Sequence, residues 1–368
     1  MRNDAAVVAL PVETALLVAC ARARLDPTTA ERVRELSQTV RDWSTVLDLA
    51  RRHRMIPLLH LHLSAAADDS VPAPVLATLR EEFSANAARN LTLALELLAV
   101  TDLLESNGIR ALPYKGPALA QCVYGSLAAR QMKDLDILLR PADVDRAVSL
   151  LETRDYTAVT RVLPGARRLG LEYQRVLARD DETIIELHWS VVPRSMAPAV
   201  ALDDLWPNRL HTAILGKALP SPSHEDMLVV LCIHGSKHRW ARLEWICGVA
   251  EMLRSKPLDW IRVLGRARQW HARRMLGAGL VLASELLDAP VPDPVIAAVG
   301  RDRRIAALAT EALDQLFADD DSADSQSRLR AFQLRSQERV RDKARYIWFR
   351  PLIDGARKGA RVADWLER

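Results

Sequence analysis

The stretch Leu112–Leu139, LPYKGPALAQCVYGSLAARQMKDLDILL, decides how this chain is read. It holds two glycine pairs, Lys115-Gly116 and Gly125-Ser126, followed by Asp134 and Asp136 one residue apart. The run before Lys115, IRALPY, reads as a short extended segment. PALAQCVYG after Gly116 reads as a helix with Pro117 near its first position. A turn that leaves a strand and opens a helix aims backbone N–H groups and the positive end of the helix dipole at an anion. Lys115-Gly116 is therefore the candidate phosphate turn. Gly125 falls at the far end of the same helix, where glycine commonly terminates one.

The run KDLDILL (Lys133–Leu139) reads as a strand, with Asp134 and Asp136 on one side and Leu135 and Ile137 on the other. Two carboxylates so close repel unless a cation lies between them. Their oxygen ligands suit Mg2+ or Mn2+, which complete their shells with water and substrate phosphates. A solvated strand edge with two surface aspartates gives the same text. A third acid shifts the balance: TIIELHW (Thr183–Trp189) alternates Ile185, Leu187 and Trp189 with Ile184, Glu186 and His188. Glu186 is a lone acid in an apolar strand, where an unpaired charge is costly. Beside Asp134 and Asp136 it would make three carboxylates, enough to hold two divalent ions for in-line displacement at phosphorus.

Outward from this centre the texture is helical. DWSTVLDLARRHRMIPLLHLHL (Asp42–Leu63) places Trp43, Val46, Leu47 and Ala50 on one stripe, and its histidine, His53, reads as a packing or surface residue. Val71–Gly108 continues in helical style and stops on Asn107-Gly108. Pro141 starts a helix running to about Arg154. LEYQRVLARDDETIIELHWSV (Leu171–Val191) reads as two strands joined at Asp180-Asp181. Ser223 is the N-cap of a further helical region, with Asp226 three residues on. The polar break ADDDSADSQS precedes a basic C-terminal run (Arg328–Arg368) whose interspersed acids fit a packed amphipathic helix, with Trp348 and Phe349 in the core and Trp365 beyond. The expectation is an α+β protein with three parts: an N-terminal helical region (1–108), a small mixed-sheet core (109–190) and a C-terminal helical region (191–368).

Composition agrees with a soluble globular chain: 368 residues, 49% hydrophobic, 27% charged and 5% aromatic. A net charge of +4 suits an anionic substrate and does not call for a nucleic-acid partner. Cys20, Cys122, Cys232 and Cys247 lack zinc or disulfide spacing, which points to a reducing cytoplasm. The apolar run near the N-terminus is interrupted by Pro11 and Glu13, and no segment reads as a membrane span.

Lys115-Gly116 before a helix, Tyr124 at its end, Arg130 to Asp134 and Asp136, then Glu186-Leu187-His188-Trp189, together resemble an uncharacterised nucleotidyltransferase family of bacteria. That family is similar in core to DNA polymerase β. The motif-bearing likeness covers about Ile109–Ser190, and a looser one extends over the flanks. The familiar superfamily pair is Gly-Ser, which Lys115-Gly116 replaces at a greater distance from the aspartates. The resemblance implies that Asp134, Asp136 and Glu186 hold Mg2+ or Mn2+ and are the catalytic residues. It implies that Gly116 and Lys115 bind the phosphates of a nucleoside triphosphate. The implied reaction moves a nucleoside monophosphate to a hydroxyl or phosphate acceptor on a small molecule, a peptide natural product or a protein, releasing pyrophosphate. Two other classes compete: a non-catalytic nucleotide-sensing or scaffold protein, and a toxin- or antitoxin-type nucleotidyltransferase acting on protein or RNA.

Further candidates for nucleotide binding surround this set. Arg130 suits a triphosphate or a carboxylate equally. His188 shares the Glu186 face, and could be structural. His234, His238 and Arg242, spaced four apart, form a polar strip if one helix carries all three. The strip could face substrate, be an ordinary polar face, or hold zinc with another ligand.

Overall fold

Alternation in KDLDILL and TIIELHW does place two strands side by side. In the computed structural model, which describes residues 10–66, 70–159, 172–196, 200–318 and 325–359, β2 (Asp134–Leu138) pairs in parallel with β5 (Ile184–His188). β1 (Leu112–Pro113) flanks β2 antiparallel, and β4 (Gln174–Ala178) and β3 (Thr157–Ala158) extend the other side, giving the order β1-β2-β5-β4-β3. β4 and β5 are the hairpin expected at Asp180-Asp181. The fold is α+β: one mixed sheet of five strands among helices.

The two faces of the sheet meet different cores. Leu135, Ile137, Leu177, Ile185 and Leu187 pack with the long helix Ala73–Ser106 and the helix Val144–Glu152. Leu112, Tyr114 and Leu138 belong instead to a larger cluster built jointly by helices before and after the sheet, from Leu16 to Tyr346. The acids therefore turn toward helices drawn from both ends of the chain.

Several elements begin where the sequence says. Ser223 Oγ accepts a hydrogen bond from the Asp226 N–H and caps the helix His224–Lys237. Asp42 caps the helix Trp43–Arg52. Pro141–Asp143 forms a short 3-10 turn before the helix Val144–Glu152. Gly125 is left-handed (φ +68°) and closes the helical stretch Gly116–Tyr124, whose second half is a π-helix.

Other features differ from expectation. His234, His238 and Arg242 do not share a helix: it ends at Lys237, and Arg242 is the N-cap of the next helix, Leu243–Ser255. The break comes from Arg239 and Trp240, both left-handed, which fold the Trp240 indole onto Gly235 and Gly279. A Cβ at Gly235 would lie 2.4 Å from that ring. Burying the indole completely offsets the roughly 1–2 kcal/mol per residue of left-handed backbone. Trp348 is 76% exposed rather than in the core. Tyr346 takes the inward position and donates to Gln333 Oε1 at 2.7 Å, and two residues on, a side chain lies about 200° around the helix. A separate hairpin, β6 (Leu210–Ile214) and β7 (Lys217–Ser221), turns through left-handed Leu215 and Gly216. Among the described residues no helix is long and apolar enough to cross a membrane. Trp365 and positions 319–324 of the polar break lie outside the described residues.

Candidate active site

The register brings the site together. Asp136 stands opposite Glu186, and Leu138 opposite His188, so Asp134, Asp136, Glu186 and His188 share one face of β2 and β5. The Tyr114 N–H donates to the Asp136 carbonyl at 3.3 Å, so the chain leaves β1 directly beside the acids. Lys115 Nζ consequently lies 2.5 Å from Asp136 Oδ1. His188 Nε2 lies 3.0 Å from the same oxygen and 3.1 Å from Glu186 Oε2. The Tyr114 ring stands edge-on to His188, with centroids 5.4 Å apart.

Three acids against Lys115 and His188 make an uneven balance. Burial, then Asp136 and Glu186, push the Asp134 carboxyl up to about 7, against Lys115 and Arg54. Burial would raise Asp136 too, but the Lys115 ammonium and the His188 hydrogen bond hold it well below the usual carboxylate range. Glu186 is likewise drawn down against burial by His188. His188, despite burial, is raised by its bonds to Asp136 and Glu186. One carboxyl of the three, Asp134, thus holds on to its proton and relieves the excess negative charge, as expected of like charges sharing a site.

Gly116 sits at φ +54°, and a Cβ there would come 3.2 Å from the Asp134 carbonyl oxygen. The turn requires glycine on both counts. Lys115 precedes the first helical residue and caps it with no side-chain hydrogen bond.

Arg130 pairs with a partner the sequence did not nominate. Its guanidinium lies 2.6 Å from the buried Glu244 carboxylate, and Arg54 approaches the same carboxylate at 3.7 Å. Asn86 and Asn90, one turn apart on Ala73–Ser106, fix this loop by donating to the Arg130 carbonyl at 3.3 and 2.7 Å. Two asparagines four apart in a helical run, and Glu244 as one of two acids inside the largely apolar RLEWICGVAEML, were readable signals. Arg54, in an ordinary basic helix end, gave none.

His234 and His238 stay together despite the broken helix, with rings 4.9 Å apart. Both lie against Trp245, at 5.6 and 5.0 Å, and the Arg242 guanidinium is 5.5 Å from the same ring. Burial, then Lys115, hold His234 well below the usual histidine range. Lys237 Nζ donates to Tyr173 Oη at 2.8 Å, and the Tyr173 ring lies 5.9 Å from His188. His53 is a packing residue: it is fully buried, and its Nδ1 accepts from the Leu243 N–H at 3.2 Å.

The donor set fits a divalent cation. Asp136, Glu186 and His188 each offer a ligand atom within 4.8 Å of the others. His188 Nδ1 is buried with no hydrogen-bond partner. Asp134 shares the face, but among the described residues His188 rather than Asp134 completes the tight group.

Over residues 39–288 the chain matches the family described as uncharacterised nucleotidyltransferase, and it belongs to that family. No curated protein and no solved structure matches it.

Proposed function

We propose that this member of the uncharacterised nucleotidyltransferase family is a metal-dependent enzyme that moves a nucleoside monophosphate from a nucleoside triphosphate to a hydroxyl or phosphate acceptor. The observation that carries the reading is the parallel register of Asp136 against Glu186, with Asp134 on the same face. The order of strand, glycine turn, helix and D-x-D strand supports kinship with the DNA polymerase β type. Asp134, Asp136 and Glu186 would hold the metal, with His188 beside them. A bound Mg2+ or Mn2+ would neutralise charge on the phosphates and on the entering and leaving oxygens. The chain's own groups do the positioning. The Gly116 turn lets backbone approach the phosphates, and Lys115 and Arg130 add positive charge there. Glu186 accepts a proton from the acceptor oxygen. The His234, His238 and Arg242 cluster borders the nucleotide.

One observation favours the nucleotide-sensing alternative: Lys115 and His188 already compensate Asp136 without any ion. Thermal unfolding with ATP, GTP, CTP and UTP, with and without Mg2+, separates the two. A ligand bound only by the folded state raises the melting temperature by mass action. The enzyme reading expects a Mg2+-dependent rise with a nucleotide that Asp136→Asn abolishes. A rise indifferent to Mg2+ and to Asp136→Asn favours sensing.

A further inference from the structure

Where the N-terminal helices meet the Arg130 loop, two guanidinium groups converge on the buried Glu244. We propose that Arg54, carried in from the N-terminal helical region, binds the triphosphate at this site, and that Glu244 is the positioning residue holding Arg54 and Arg130 toward Asp134. The inference rests on the nucleotidyltransferase reading and adds to it two residues from opposite flanks of the sheet.

Glu244 is 4% exposed, and it faces guanidinium groups from two distant parts of the chain. The contacts, 2.6 Å to Arg130 and 3.7 Å to Arg54, leave both carboxylate oxygens without an aligned hydrogen bond. A closed structural pair would saturate those oxygens. Positive charge is also in surplus. Arg54 and Arg130 share the one buried acid, and burial first, then Arg54, hold the nearby Arg242 below its usual range. Cations that repel one another beside a single buried acid are arranged for an anion from outside. Arg130 stands four residues ahead of Asp134, in the segment that leads into β2, which puts that anion next to the acid face. A triphosphate matches the requirement, because planar guanidinium groups bind phosphate oxygens in pairs.

The backbone at Arg54 supplies a clean test. The helix Trp43–Arg52 ends with the Met55 N–H on the Ala50 carbonyl (2.7 Å), the Arg54 N–H on Arg51 (3.2 Å), and Arg54 itself left-handed at φ +57°. Glycine is the usual residue at that position. Arg54→Gly therefore removes the guanidinium while easing the backbone.

Calorimetric titration with inorganic tripolyphosphate is the experiment. The wild type should bind it, and Arg54→Gly should keep the wild-type melting temperature or exceed it while binding at least about tenfold more weakly, the scale of one charge-assisted hydrogen bond. Arg54→Lys should recover part of the loss. Glu244→Gln should weaken binding in the wild type and weaken it far less in an Arg54→Gly, Arg130→Gln background, because a positioning residue has nothing left to position. Binding by Arg54→Gly within twofold of wild type, or no binding by wild type, would overturn the assignment of Arg54. Equal losses from Glu244→Gln in both backgrounds would overturn the positioning role. Tripolyphosphate bound through Arg54 by a protein that transfers no nucleotide would leave this inference standing and remove the transfer reading. Transfer that ignores Arg54 would do the reverse.

Discussion

Two buried acidic clusters of this protein sit on opposite sides of the sheet, and they are built on different principles. Beyond the apolar face, Glu96 on the helix Ala73–Ser106 accepts from Arg154 at 3.0 and 3.1 Å, from Arg179 at 3.2 Å and from Tyr156 Oη at 3.2 Å. One acid meets two arginines and a phenol, and its oxygens are saturated. On the other face Asp134, Asp136 and Glu186 outnumber Lys115 and His188, and Asp134 is pushed up to about 7 by burial and by its neighbours. The first cluster closes on itself and ties the long helix to the sheet edge. The second stays short of positive charge, which is the condition for taking up a cation. The balance of charge within each cluster, more than burial, separates the two.

Replacing carboxylates by amides should sharpen that contrast. On the open cluster, Asp136→Asn should lower nucleotide transfer by about a thousandfold or more while the chain stays folded, as measured by labelled product and by circular dichroism. Retained transfer would remove the open cluster from the chemistry. On the closed cluster, Glu96→Gln should cost about 2–3 kcal/mol in urea unfolding, since it leaves two guanidinium groups underpaired, and leave the rate of transfer near wild type.

The pH dependence should also differ in sign from that of an ordinary ion-paired aspartate. The folded protein keeps a proton on Asp134 up to about 7, whereas the unfolded chain loses it near the ordinary 3.8. Between those values the native state binds more protons, so metal-free stability falls as pH rises. Asp134→Asn should flatten that fall and be more stable than wild type by about 1–2 kcal/mol at pH 8. Saturating Mg2+ should flatten it as well, because metal binding displaces the proton. A wild type whose stability rises over this window would contradict the account of the acid face. The smallest effect belongs to Tyr156→Phe, which loses one hydrogen bond to Glu96. It should cost about 0.5–1.5 kcal/mol with no change in transfer.

The acid face was legible because strand alternation is local. KDLDILL and TIIELHW each declare which side chains share a face, and Gly108, Ser223 and Asp180-Asp181 mark ends and turns with residues suited to them. What could not be read depends on contacts between distant segments. Arg54 and Arg239 occupy the left-handed position that glycine marks at Gly108, so those helix ends carry no textual sign. The halt at Lys237 follows from Trp240 finding room over Gly235 and Gly279, the second of which lies on a different helix. Arg130 looked equally suited to phosphate or carboxylate, and only the fold brings Glu244 to it. His188 was visible on the right face, but its place in the tight group with Asp136 and Glu186 came from the pairing of β2 with β5.

The most direct test of nucleotide transfer uses nucleoside triphosphates labelled at either the α- or the γ-phosphate, incubated with the protein, Mg2+ and an extract of its source cells. The account predicts that α-label enters a new product, that γ-label leaves as pyrophosphate, and that Asp136→Asn and chelation of the metal each stop both. Transfer of γ-label into the product, or label transfer undiminished in Asp136→Asn, would contradict it.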